Sequence, residues 1–236
     1  MWPWPPRPRP GDGRWLRSWQ AQGGARHLAY AADYAWLVDA FTRLAEATGA
    51  ARWIGEAEAV ADALLELFWD AEGGGLFTTG HDGEALIVRP KDVYDGATPC
   101  ANSVAAVSLA RLAALTGSVR YTDAAESILA LVGDSLGAHA LAFTNFLAAA
   151  DLLHTGVTEL AITGVRPDLV AAYRTRFLPN SVLAWGERYD SPLWDGRLDG
   201  LAYVCREFSC QAPVATADDL LAQLGSASST ASTSSP

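Results

Sequence analysis

Three cysteines in 236 residues are too few for a disulfide framework, and none of their spacings is the Cys-x-x-Cys of a zinc or redox centre. Positive charge is also scarce. With 17 basic against 27 acidic residues the formal charge is -10, and such a surface repels phosphate backbones, so no nucleic acid partner is expected. No apolar run reaches the roughly 18–20 uninterrupted residues of a membrane span, so no membrane partner is expected either. The start, Met1-Trp2-Pro3-Trp4-Pro5-Pro6-Arg7, has no apolar segment of the secretory kind. These absences point to a cytoplasmic chain. Histidines 27, 81, 139 and 154 show no metal-ligand spacing, and Gly73-Gly74-Gly75 is followed by neither Lys-Ser/Thr nor a helix start. No metal and no cofactor are expected.

What is present is enough for one sizeable core, with 50% hydrophobic and 19% charged residues. Residues 1–24 are rich in Pro, Gly, Trp and Arg without a helical period, and read as an irregular arm. From Leu28 apolar residues recur at three- and four-residue steps: Tyr34, Leu37, Val38, Phe41, Leu44 and Ala45 give one helix. Thr48-Gly49 stops it, and Trp53 to Phe68 carry a second, so close that the two must fold back as a helical hairpin. The pattern then returns 68 residues later. Thr48-Gly49-Ala50-Ala51-Arg52-Trp53 is echoed by Thr116-Gly117-Ser118-Val119-Arg120-Tyr121, and Arg43-Leu44-Ala45 by Arg111-Leu112-Ala113. A third helix is expected over Ala140 to Leu153. Repeated helical hairpins over 25–156 are the mark of a solenoid or toroid.

Two other stretches have different grammar. Between the copies, Gly73 to Thr79 and Leu86-Ile87-Val88 read as the strands of a β-hairpin insertion. Residues 157–224 alternate strand and helix, with strands at 160–163, 181–185 and 202–205 and helices over 169–177 and 217–224, as a small α/β element. Residues 225–236 are Ser/Thr/Ala low complexity and read as a disordered tail.

Ionisable and polar groups crowd into Arg89-Pro90-Lys91-Asp92-Val93-Tyr94-Asp95, which leads through Gly96 and Pro99 into a helix near Asn102. Two readings stay open. Asp95 paired with Asp33 suits general acid/base work on a sugar, with Arg89, Lys91, Tyr94 and Asn102 binding hydroxyls. Alternatively the loop satisfies its own backbone at a helix entry, and Asp33 meets the positive end of its own helix. Lys91, the sole lysine, is either a proton-exchanging group or a survivor of an arginine-biased composition. Cys205 and Cys210 are either a reversible disulfide or, as the spacing favours, two buried thiols.

Asp33-Tyr34-Ala35, Phe68-Trp69-Asp70, Arg89-Pro90-Lys91, Asp95-Gly96-Ala97-Thr98-Pro99, Asn102-Ser103-Val104 and Ala202 to Arg206 with Cys210 together carry a resemblance. From Asp12 to Leu224 the chain resembles the C-terminal part of the thioredoxin-domain proteins whose eukaryotic members are called spermatogenesis-associated. The resemblance implies a mainly α chain, a partial (α/α) toroid similar to N-acylglucosamine 2-epimerases and six-hairpin glycosidases. About two and a half of its six hairpins are expected here, and Cys100 stands where the pattern leads one to expect serine. It also implies sugar epimerase, isomerase or glycosidase-like chemistry of a longer protein, with a sugar ligand. The alternative is a non-catalytic binding module supporting a thioredoxin-like domain in redox homeostasis. The thioredoxin-like domain, or the missing toroid half, is then the expected partner.

Overall fold

The apolar period after Leu28 forms helix α1 (Ala31–Thr48), which buries Tyr34, Ala35, Val38, Phe41 and Ala45 on one face. A computed structural model describes residues 14–229 of the chain. After α1 come α2 (Arg52–Phe68), α3 (Ala101–Thr116), α4 (Val119–Ala130), a single turn α5 (Gly133–Leu136) and α6 (Thr144–Thr155). The chain is mainly helical, at about 48%. Helix α3 is the centre. Every residue from Ala101 to Leu115 except Val107 is buried, and α1, α4 and α6 pack on it. An Ala-rich helix that is apolar or small on every side has this place in a protein, since it has no face to give to water.

The echoed sequence produces an echoed turn. Both α1 and α3 end in a glycine of left-handed backbone, Gly49 (φ 67°) and Gly117 (φ 79°). Each glycine N–H donates to the carbonyl four residues back, Ala45 at 2.8 Å and Ala113 at 2.7 Å. The threonines before them donate to Leu44 at 2.6 Å and Leu112 at 2.8 Å. The next helix of each pair starts within three residues, so α1 packs on α2 and α3 on α4.

Beyond α6 the chain alternates as expected between β3 (Thr158–Ile162), α7 (Pro167–Arg174) and β4 (Ser181–Trp185). It continues through β5 (Ala202–Arg206) and β6 (Ser209–Cys210) to α8 (Ala217–Ser229). The sheet order is β4-β3-β5-β6, with β3 parallel to β4 and antiparallel to β5. Side chains alternate across it. Leu160, Ile162, Leu183 and Val204 meet Leu169, Val170, Leu220 and Leu224 of α7 and α8. Ala161, Val182, Ala184 and Cys205 meet Ala45, Ile54, Ala114 and Leu115 at the helix ends. Both faces are covered, which explains the nearly continuous apolar runs of these strands. No helix among the described residues is long and apolar enough to cross a membrane.

Four expectations differ from this arrangement. Of the arm over 1–24, residues 1–13 lie outside the described residues, and the rest enters a hairpin of β1 (Leu16–Gln20) and β2 (Gly24–Leu28). The insertion is not a β-hairpin. Trp69 and Leu76 form one isolated bridge, while the Leu86, Ile87 and Val88 side chains are exposed and the backbone there pairs with no strand. Its polar side chains, described below, take the backbone groups that a ladder would have used. The third helix breaks at Phe143, with a 3-10 turn Ala140–Ala142 before α6. Residues 225–229 of the expected disordered tail continue α8, and 230–236 lie outside the described residues.

Candidate functional site

The loop from Trp69 to Cys100 is held by a set of staples, and most of the residues singled out in the sequence are those staples. Asp70 accepts from the Glu72 and Gly73 N–H groups at 3.0 and 3.2 Å and pairs with Lys91 at 2.6 Å. The Lys91 ammonium, followed by these two N–H donors, pulls the Asp70 carboxyl down to about 2. Lys91 also donates to the Gly74 carbonyl at 2.5 Å. Arg89 donates to the carbonyls of Thr79 at 2.5 Å and Leu67 at 3.4 Å and lies 4.2 Å over the Phe77 ring. Asn102, fully buried in the first turn of α3, accepts from Leu76 N–H at 2.7 Å. Its amide donates to the carbonyls of Leu76 at 3.0 Å and Asp92 at 2.8 Å. It acts as a strand rung made by a side chain, and it closes both ends of the loop onto α3.

Asp95 is a buckle between two helices. One carboxylate oxygen accepts from Cys100 N–H at 3.0 Å and the Ser103 hydroxyl at 2.5 Å, at the entry to α3. The other accepts from Asn145 N–H at 2.8 Å and Phe146 N–H at 3.4 Å, in the first turn of α6. Those donors are the orphan amides of a helix N-terminus, and a carboxylate there is favoured by both hydrogen bonding and the dipole. Asp33 completes a capping box, accepting from Tyr30 N–H at 2.9 Å, with Arg17 at 3.9 Å. Asp33 and Asp95 therefore sit at the entries of α1 and α3, each engaged by its own chain. Tyr94 is different. It is 65% exposed, and its ring lies 5.3 Å from Phe143.

Two polar sites were not picked out from the sequence, and a third forms around a cysteine pair that was. Arg14, 5% exposed, pairs with Asp82 at 2.6 Å and donates to the Tyr34 hydroxyl at 2.9 Å. Arg111, 2% exposed, gives Glu46 two bonds of 2.9 Å, and Glu46 also accepts from Leu183 N–H of β4 at 3.0 Å. This seam fastens the helices to the sheet. An arginine inside the apolar run 104–115 was the available signal. The third site surrounds β3, β5 and β6. Cys205 and Cys210 are joined in a disulfide, contrary to the pair of thiols that their spacing favoured, because a two-residue turn puts them opposite each other on paired strands. The Arg197 guanidinium lies 2.8 Å from Cys210 Sγ. Glu159, 3% exposed, is the cross-strand partner of Cys205 and accepts from Phe208 N–H at 2.8 Å. Burial pushes its carboxyl up to about 7. Glu159 and Phe208 line a cavity of about 240 Å³ beside Gly117 and Leu152. Neither this cavity nor one of about 270 Å³ around Asp151, Asn180 and Arg206 includes a loop residue singled out above.

A bundle of paired helices docked on a small α/β sheet is thus the class of fold, with a polar loop buckled across its helix entries. Comparison with known proteins gives it relatives. Human spermatogenesis-associated protein 20 is 30% identical over 199 residues, covering 77% of this chain and 25% of the relative. The rat protein of that name is 31% identical over 157 residues, covering 64% and 20%. An uncharacterised protein of Caenorhabditis elegans is 26% identical over 84% of this chain and 29% of its own length. The chain is homologous to spermatogenesis-associated protein 20 at about 30% identity over most of its length. The match spans about a quarter of that relative. No protein-family profile matches the chain.

Proposed function

We propose that this chain is the C-terminal part of a longer protein of the spermatogenesis-associated type, and serves there as a non-catalytic binding module supporting a thioredoxin-like domain. The observation that supports this is the occupancy of Asp95. Both its oxygens are taken by four donors of the chain itself, and a carboxylate so engaged is a helix clasp with little capacity left to exchange protons with substrate. Arg89, Lys91 and Asn102 are likewise committed to backbone carbonyls of the same loop. Calorimetry separates the readings. Titration with a thioredoxin-fold domain is expected to give heat, and titration with a panel of monosaccharides none.

One observation favours carbohydrate chemistry instead. Tyr94 presents an exposed aromatic face next to Asp95, and sugars stack on such faces. On that reading Asp33 and Asp95 are acid and base, and Arg89, Lys91, Tyr94 and Asn102 hold hydroxyls. Saturable sugar binding that disappears in Tyr94→Ala would overturn the module and establish this second reading.

A further inference from the structure

The turn between β5 and β6 is made by Glu207 (φ 50°) and Phe208 (φ 60°), two side-chain-bearing residues in the left-handed region. Two-residue hairpins of this geometry ordinarily use Asn-Gly or Gly-Gly, because a Cβ is disfavoured at positive φ. Here the turn is over-determined from outside. Cys205 and Cys210 are bonded across it, and Phe208 N–H is anchored on Glu159. The two sulfurs differ in access and in charge. Cys205 is 2% exposed and faces the helix ends, whereas Cys210 is half-buried on the edge strand. The Arg197 guanidinium lies 2.8 Å from Cys210 Sγ and 4.0 Å from Cys205 Sγ. Arg197 is held by the Leu193 carbonyl and the Tyr203 ring, and makes no ion pair among the described residues. A cation fixed beside the sulfur of a partly buried cysteine lowers the cost of its thiolate. A buried sulfur behind it is the arrangement of an entry thiol with a resolving thiol. The other charged groups about the pair are Arg206 and Glu207 on the hairpin and Glu159 on β3.

We infer that Cys205 and Cys210 form a thiol–disulfide exchange site, with Cys210 the sulfur that meets the external partner and a protein or small-molecule dithiol as its reductant. This goes beyond the binding module and stands without it. In the forward step a thiolate of the dithiol attacks Cys210 Sγ, the Cys205–Cys210 bond breaks, and the electron pair leaves on Cys205 Sγ, which takes up a proton. The second thiolate of the reductant then attacks its own sulfur in the mixed disulfide and releases Cys210 as a thiolate beside Arg197. Two electrons pass to the pair, the dithiol is oxidised to a disulfide, and of its two protons one ends on Cys205 and the other goes to solvent while Cys210 stays a thiolate.

The test uses the full chain with Cys100→Ser, so that only this pair reports; serine is a competent helix cap at that position. Dithiothreitol is expected to reduce the pair in the native protein, at a rate independent of low urea concentrations and with the far-ultraviolet circular dichroism retained. Reduction that occurs only as fast as the chain unfolds would overturn the proposal and leave the bond a structural staple. The single-cysteine variants then locate the entry sulfur by their reaction with 5,5′-dithiobis(2-nitrobenzoate). Cys205→Ser, which leaves Cys210, is expected to react at least about 100-fold faster than Cys210→Ser. Adding Arg197→Gln to Cys205→Ser is expected to slow the reaction about tenfold at pH 7 and shift its pH profile upward, a change that mere loss of packing would not give. Equal rates for the two single-cysteine variants, or no effect of Arg197→Gln on the profile, would overturn the assignment.

Discussion

Arg43 in the first copy of the repeat and Arg111 in the second occupy equivalent places one turn before the end of their helices, yet they live in different surroundings. Arg43 has a half-exposed side chain and reaches Asp39 on its own helix at 3.3 Å. Arg111 is buried and reaches Glu46 across the molecule, with a second bond to the Pro179 carbonyl at 3.2 Å. Leu-Ala follows both, but Asp39 and Glu46 around Arg43 correspond to Val107 and Ala114 around Arg111, so the second arginine has no carboxylate on its own helix to reach. The rest arises from packing, since α3 is covered by α1, α4 and α6 at once, whereas the Arg43 side of α1 is left open to solvent. A repeat thus specifies its helices and turns locally, and the third element decides what an equivalent side chain does.

The pair can be broken one side at a time. Arg111→Ala strands Glu46 in a seam where its side chain is 13% exposed, and is expected to cost about 3–5 kcal/mol, the usual loss when one partner of a buried pair is removed. Arg43→Ala is expected to fall within about 0.5 kcal/mol of the parent. Urea midpoints of both variants measure the contrast directly. Equal losses would mean that position in the repeat, and not burial, sets the value of the arginine.

The helix entries give a second contrast. Asp95 ties the entry of α3 to the first turn of α6, whereas Asp33 closes a box within one turn of α1. Asp95→Ala removes a cap and leaves partly buried donors without an acceptor, for about 2–4 kcal/mol. Asp33→Ala is expected to cost about 0.5–1 kcal/mol, the ordinary loss of an exposed cap. Thermal melts of the two variants provide the comparison, and near-equal melting temperatures would show that the bond to α6 contributes nothing.

Acidic residues beside the two turns differ in the same sense. Glu187, next to the first turn, is exposed and accepts from Ala51 N–H at 2.9 Å. Glu159, beside the second, is buried with its carboxyl pushed up to about 7 from the ordinary glutamate value of 4.5. Burial, the largest cause, disfavours its ionised form, so below pH 4.5 the carboxyl is neutral in both folded and unfolded chains. As pH rises the unfolded chain gives up that proton first, and stability falls through the window up to about pH 7. The expected loss is on the order of 2–3 kcal/mol, by the conversion of about 1.4 kcal/mol per unit. Denaturant titrations at pH 4.5 and 7.5 should show this fall in the parent and a smaller one in Glu159→Gln. An identical fall in both would assign it elsewhere.

How much of this was legible follows the same division. The 3.6-residue period, the Thr-Gly stops and the alternating strands of 158–206 depend on neighbours in sequence, and they placed α1 to α4, α7 and β3 to β5. The loop residues Arg89, Lys91, Asp95 and Asn102 were legible as a polar cluster, and a loop that satisfies its own backbone was one of the two readings left open. Their particular partners at Thr79, Gly74, Asn145 and Leu76 were not legible, because the fold sets them. Gly73 to Val88 looked like strands since Leu, Phe, Ile and Val favour strands. Without a partner for 86–88, that propensity had no ladder to join. The Cys205–Cys210 bond was left as the less favoured of two alternatives for a related reason. A Cys-x4-Cys spacing is bridgeable only if the four intervening residues make a tight turn, and Arg-Glu-Phe-Ser carries none of the glycine or asparagine that announces one.

The smallest contrast lies in the two turn glycines, which are alike in backbone and unlike in what touches them. A Cβ at Gly117 would come within 2.8 Å of the Pro192 ring, while one at Gly49 would stand 3.0 Å from the Trp185 ring and 3.1 Å from its carbonyl. Both positions need left-handed backbone, so alanine costs about 1 kcal/mol at each from conformation alone. The contacts then add to that, and Gly117→Ala is expected to lose about 1–2 kcal/mol in all, more than Gly49→Ala by a few tenths. The ring of Pro192 cannot swing away, because it opens the 3-10 turn whose preceding Ser191 hydroxyl donates to the Leu115 carbonyl at 2.6 Å. Chemical denaturation of the two variants decides the order. If Gly49→Ala proves the costlier, the first turn rather than the second bears the tighter joint between helices and sheet, and the seam at Glu46 and Trp185 would be its seat.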